Sequence, residues 1–234
     1  MSIADNLARV RERIDAAAHR AGRRAEDIAL MAVSKTFPPE AIREAYDAGA
    51  RLFGENRVQE FAGKIDSLGD LRHAEFHLIG HLQSNKAAKA VELFAAVDSV
   101  DSLPLSRKLN ASAQQSGKKI PVLIEINVGG EIAKSGVAPG SRELEELLSG
   151  AQALPHLEFC GLMTVPPFSD DPQQTRPYFR QLRELRDQIA ARQLPAIGTK
   201  TLSMGMSHDF EVAIEEGSTC VRVGTAIFGE RTKG

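Results

Sequence analysis

Ile28-Ala29-Leu30-Met31-Ala32-Val33-Ser34-Lys35 is the stretch on which the fold turns. Six apolar residues run without a polar break and stop at a serine and a lysine. A run this short and continuous reads as a strand buried on both faces. Pro39 then opens a helical pattern that lasts to Gly49, and a proline in the first turn loses no helical hydrogen bond.

The same pair recurs downstream. Arg51–Gly54 precedes a helix through about Ile65, His77–Gly80 one over Asn85–Leu93, and Phe94–Val97 one over Ser102–Ser116. Pro121–Val128 is the strongest strand signal, followed by a loop to Gly140 and a helix through Ala153. Leu157–Met163 leads into a long helix over Gln173–Arg192, and Thr201–Met204 into a short one over Asp209–Glu216. Cys220–Val223 ends at Gly224, with a helical turn expected beyond it. Upstream, Ile3, Leu7, Val10 and Ile14 share one face of a helix from Ser2 to Gly22. Strict alternation of strand and helix implies a parallel sheet. Eight such units in about 200 residues predict an α/β chain folded as a single (β/α)8 TIM-type barrel with an added N-terminal helix, one domain over 1–234. A doubly wound open sheet would need a phosphate-binding G-x-G-x-x-G turn, and none is present.

Composition excludes other classes. The 29 basic and 31 acidic residues leave a net charge of −2, so nothing favours nucleic acid or an anionic membrane. No stretch approaches the roughly 18 apolar residues of a membrane span. The N-terminus carries charges where a signal peptide needs an apolar core. Cys160 and Cys220 form neither a disulfide framework nor a metal-ligand spacing, which points to the cytoplasm with both thiols reduced and buried. His77 and His81 are four apart but straddle a strand end with no evident Cys or acidic partner, so no metal site is expected.

In a barrel of this kind, functional residues sit at the carboxyl ends of strands. Lys35 stands at the first such end. Desolvated in the barrel mouth it would form a Schiff base; the plain alternative is a lysine that snorkels to solvent. Ser203-Met204-Gly205-Met206-Ser207 and Arg222-Val223-Gly224-Thr225 end the last two strands. Their backbone N–H groups at Gly205, Gly224 and Thr225, with the Ser203 and Thr225 hydroxyls, suit a phosphate. A reactive lysine opposite a phosphate cup is the arrangement for pyridoxal 5'-phosphate. His81, with Gln83 and Asn85, reads as a hydrogen-bonding residue of the mouth. Lys134-Ser135-Gly136 reads as a solvated cationic loop.

The motifs AVSK at Ala32–Lys35, FGEN at Phe53–Asn56, HLIGHLQSNK at His77–Lys86, GLMT at Gly161–Thr164, SMGMSHDF at Ser203–Phe210 and RVGTAIFGE at Arg222–Glu230 resemble the pyridoxal phosphate homeostasis proteins, in order and over nearly the whole chain. That family is similar to the N-terminal barrel of alanine racemase. The resemblance implies pyridoxal phosphate on Lys35 as an aldimine, a phosphate site at Ser203, Gly224 and Thr225, Arg222 facing the pyridine nitrogen, and Asn56 near the ring. With Met204, Gly205 and His81 these make the expected cofactor-binding set. Arg57 stands where the family has a tyrosine, and Phe76 where it has a tryptophan, which touches rim packing only.

Three functions compete: a carrier that buffers pyridoxal phosphate and supplies dependent apo-enzymes, an amino-acid racemase, and a phosphate-binding barrel without a Schiff base. Racemisation by two bases needs donors on both faces of the substrate Cα. Lys35 supplies one. In alanine racemase the other is a tyrosine of a separate domain, for which this chain, ending at Gly234, carries no residues. Tyr46 and Tyr178 both fall in expected outer helices. Arg222 cannot readily accept a proton and so disfavours a pyridinium, giving a weak electron sink. The carrier is the expected function, with no catalytic residue assigned and a monomer as the expected state.

Overall fold

The computed structural model describes residues 2–131 and 134–230. Helix α1 (Ile3–Arg20) begins with a capping box: Ser2 Oγ accepts from the Asp5 N–H, and the Asp5 carboxylate accepts from the Ser2 N–H. There follow β1 (Ala29–Val33), α2 (Pro39–Asp47), β2 (Leu52–Glu55), α3 (Val58–Ala62), β3 (Glu75–Leu78), α4 (Ala87–Leu93), β4 (Ala96–Val100) and α5 (Leu103–Gln115). The second half holds β5 (Ile120–Glu125), α6 (Arg142–Gly150), β6 (Leu157–Met163), α7 (Arg176–Ala191), β7 (Ile197–Met206), α8 (Phe210–Glu215), β8 (Cys220–Val223) and α9 (Thr225–Phe228).

All eight strands pair in parallel with their neighbours in chain order, and β8 returns to β1 through Ala29↔Cys220 to Ala32↔Val223. The sheet is therefore a closed barrel. Strand residues of one parity, among them Ala32, Phe53, Leu78, Val122, Ile124, Leu162, Leu202 and Val221, pack with the helices in one apolar layer. Residues of the other parity, such as Met31, Leu123 and Met163, are buried apart from that layer, inside the barrel.

Four strands differ from the sequence expectation by two residues or more: β5 stops at Glu125, short of Val128, β7 runs from Ile197 to Met206 rather than from Thr201 to Met204, and β3 and β4 are both displaced. β3 begins two residues earlier than His77 and ends at Leu78. β4 begins after Phe94, whose N–H closes α4 on Ala90 O and whose ring lies 4.8 Å from that of Phe61 in the helix layer. Asp98 and Ser99 are consequently inside β4 rather than beyond its end.

Helix α1 has a structural task. α9 is a single turn, too short to cover the outer faces of β8 and β1. α1 packs against α8, α9 and α2 and buries Leu7, Val10, Ile14, Ala17 and Ala18 there. Asn6 Nδ2 donates to Ile227 O at 2.9 Å, and Arg13 pairs with Glu211 at 2.7 Å. The added N-terminal helix thus takes the place of the missing eighth barrel helix.

Candidate cofactor site

Lys35 follows β1 directly. The Phe37 N–H donates to Ser34 O at 3.1 Å, so Lys35 occupies the second position of a turn and its side chain is half-buried. Strand β8 is the neighbour of β1, and the Gly224 loop abuts the end of β1: a Cβ on Gly224 would lie 3.4 Å from Val33 O. That loop leads into α9. At the amino end of α9 the Ser207 hydroxyl oxygen accepts from the N–H groups of Gly224 (3.1 Å) and Ala226 (3.3 Å). Two backbone donors converging on one oxygen is the arrangement a phosphate oxygen takes at a helix start. Thr225 is exposed beside them.

Gly205 shapes the strand-seven side. It has φ +93°, and a Cβ there would meet Ala213 Cβ at 2.5 Å and Phe210 Cα at 2.9 Å. Only glycine allows the chain to turn this tightly onto α8. Asp209 completes the turn by accepting the Met206 N–H at 2.7 Å. Met204 is fully buried in the layer between barrel and helices, so its side chain faces away from the mouth.

Arg222 lies inside the barrel, 4% exposed. It donates through Nη1 to Ser203 Oγ at 2.7 Å and through Nη2 to Thr164 O at 2.6 Å. Burial lowers it from the ordinary guanidinium range, against the neighbouring Cys220, Asp98, Glu125 and Asp209. It remains a fixed cation whose remaining donors can face a ligand. Ser203 is fully buried and already engaged by Arg222, so it supports that cation more directly than a phosphate.

Sequence reasoning missed two residues here. Ser207, not Ser203, holds the α9 N–H groups. Glu125, at the end of β5, is 8% exposed, and its Oε2 has no hydrogen-bond partner among the described residues. Burial, together with the charge of Asp101, pushes its carboxyl up to about 7 despite Arg222. An acid interrupting the apolar run Pro121–Val128 was the available signal.

Asn56 and His81 line one cleft of about 270 Å³ between the loops after β2 and β3. Gly80 permits that proximity, since a Cβ there would stand 2.3 Å from Asn56 O. His81 is on the outer rim, its Nδ1 3.4 Å from Asp101 Oδ2. His77 is lower in the barrel, with Nδ1 3.2 Å from Asp98 Oδ1. Both histidines therefore have an acidic partner that the misplaced β4 concealed. Cys220 is buried and its thiol is pushed up to about 12 by burial. Cys160 is only half-buried, a correction to the expectation for both thiols.

An amine at one strand end, an anion cup at the next, an interior arginine and an orphaned buried carboxyl oxygen together fit pyridoxal phosphate in chemistry. Comparison with known proteins agrees. The model of the alanine racemase N-terminal domain matches residues 6–232. A pyridoxal phosphate homeostasis protein of Aquifex aeolicus is 48% identical, covering 99% of each chain; that of Pseudomonas aeruginosa is 43% identical, covering 100% of this chain and 97% of its own. The structure of PipY of Synechococcus elongatus with PLP bound superposes with a TM-score of 0.84 at 38% identity, covering 97% of this chain and all of that one. Alanine racemase of Streptomyces coelicolor shares the fold, with a TM-score of 0.72 at 21% identity over 96% of this chain and 59% of its own. Matched from end to end by proteins of one name and by the barrel of the racemases, the chain belongs to the alanine racemase N-terminal domain family and, within it, to the pyridoxal phosphate homeostasis proteins.

Proposed function

We propose that this protein carries pyridoxal phosphate covalently on Lys35 in the cytoplasm, buffers that reactive aldehyde, and releases it to dependent apo-enzymes, the whole chain acting as one barrel unit. The observation that carries this reading is the Ser207-held pair of N–H groups on Gly224 and Ala226, one strand end from Lys35. The names of the relatives and the PLP-bound PipY support it. Lys35 supplies the attaching amine. Gly224, Thr225, Ala226 and Ser207 receive the phosphate. Asn56 borders the ring, with Gly205 shaping the loop, Met204 offering only backbone, and His81 closing the rim. Bound, the group supplies an aldehyde carbon and an electron sink; Arg222, fixed on Ser203 and Thr164, keeps a positive charge in the mouth that opposes protonation of the ring nitrogen. Among the described residues, Tyr46 donates its hydroxyl to Arg72 O at 2.7 Å, held on outer helix α2.

A second reading, a weak racemase, draws on Glu125, whose carboxyl titrates near neutrality beside Arg222. Incubation with L-alanine in deuterated water separates the two. The carrier reading expects negligible deuterium at Cα and reactivation of an added apo-enzyme by the loaded protein. Rapid exchange with D-alanine formation, lost in Lys35→Ala, reverses the order.

A further inference from the structure

We infer that Glu60 is the residue that positions Lys35, through a carboxylate–lysine cluster outside the barrel that holds the backbone on both sides of it. The inference rests on the proposed role of Lys35 and concerns how the chain presents it.

Ser34 to Phe37 form a β-turn with Lys35 and Thr36 at its centre. Thr36 has φ 68°. Glycine takes that conformation freely; a β-branched residue takes it only where its surroundings impose it, and such positions gather at functional sites. Among the described residues, Thr36 is the one β-branched side chain in this region of φ. What imposes it is visible: the Thr36 N–H donates to Glu60 Oε1 at 2.6 Å.

The residue before Lys35 is held by the same cluster. Ser34 Oγ donates to Glu55 Oε1 at 2.7 Å, and Lys64 Nζ donates to Ser34 O at 3.4 Å. Lys64 ties the two acids together, 2.7 Å from Glu60 Oε1 and 3.2 and 3.3 Å from the Glu55 oxygens. Ser34 and Glu55 are fully buried and Lys64 is 8% exposed, so the cluster has one satisfied arrangement and little water to replace it. Burial pushes Glu60 up, but the hydrogen bonds from Lys64 and Thr36 outweigh it and hold the carboxyl below its ordinary range. Glu60 therefore stays an anionic acceptor at neutral pH.

Without that acceptor, Thr36 has no reason to remain left-handed. It relaxes to the extended region, the turn opens, and the backbone of Lys35 is no longer fixed in its place at the end of β1. Glu60→Ala is expected to weaken pyridoxal phosphate retention about tenfold, the worth of a charge-assisted hydrogen bond, and to speed exchange of the Thr36 amide by at least a similar factor. Glu60→Gln keeps an acceptor and should retain most of the affinity. The decisive variant is Glu60→Ala with Thr36→Gly: glycine needs no constraint at this φ, so retention should return to within about twofold of the unmutated protein. A merely structural role for Glu60 predicts no such rescue. Retention is read by borohydride trapping and peptide mapping, exchange by mass spectrometry on the protein without cofactor, and melting temperature reports folding. Unchanged retention in Glu60→Ala, or loss that glycine does not restore, overturns the inference. If the unmutated protein traps nothing on Lys35, the functional reading fails instead, and exchange at Thr36 alone decides whether Glu60 holds the turn.

Discussion

Glu125 and Ser203 show how single side chains set the properties of the mouth. The Glu125 carboxyl moves from 4.5 in water to about 7 in the folded chain. Below about pH 4.5 both states are protonated and the group has no effect on stability relative to that reference. Between there and about 7 the folded chain holds the proton and the unfolded chain has lost it, so stability falls as pH rises, then levels off. The shift corresponds to about 3 kcal/mol as an upper bound. Glu125→Gln should therefore raise the melting temperature of the cofactor-free protein at pH 8 and flatten its pH dependence between about 4.5 and 7; an unchanged profile would remove Glu125 as the titrating group. Ser203→Ala strips one acceptor from buried Arg222 and should lower stability by about 1–3 kcal/mol, measured by urea unfolding. The place of Lys35 at the end of β1 was legible from sequence, because an apolar run that stops at a serine and a lysine marks a strand end. Ser207 was not, because the β7–β8 register shifts between Ser203 and Met206 and breaks the parity by which facing residues are counted.

Elements place these side chains, and their junctions are the vulnerable points. The tight turn from β7 to α8 depends on Gly205, with its positive φ and its contact with Ala213 and Phe210. Gly205→Ala should cost about 2–4 kcal/mol from left-handed strain plus overpacking, and should loosen the cup because α8 and the Ser207 loop move together. A variant that melts and binds like the unmutated protein would show the turn has room. Alternation of strand and helix was legible throughout, since strands buried on both faces give continuous apolar runs. The boundaries of β3, β4, β5 and β7 were less so. Phe94 and Ala95 read as strand by apolarity alone, and only the ring contact with Phe61 reveals that Phe94 belongs to the helix layer.

At the scale of the molecule, β8 and β1 close the barrel and α1 covers their outer side. The sequence marks α1 as an amphipathic helix but not its destination, which follows from α9 being one turn long. Leu7, 1% exposed, should lose about 2–5 kcal/mol on replacement by alanine, as a core position does. A change within error in chemical unfolding would make α1 an appendage. Closure brings the ends of β1, β7 and β8 into one mouth, and the central claim is that Lys35 there carries pyridoxal phosphate. The most direct test is borohydride reduction of the protein loaded with pyridoxal phosphate, followed by peptide mapping. The account predicts a single phosphopyridoxyl group on Lys35, absent from a still-folded Lys35→Ala variant. Label on Lys64, Lys86 or Lys134 in its place, or no label at saturating cofactor, would contradict it.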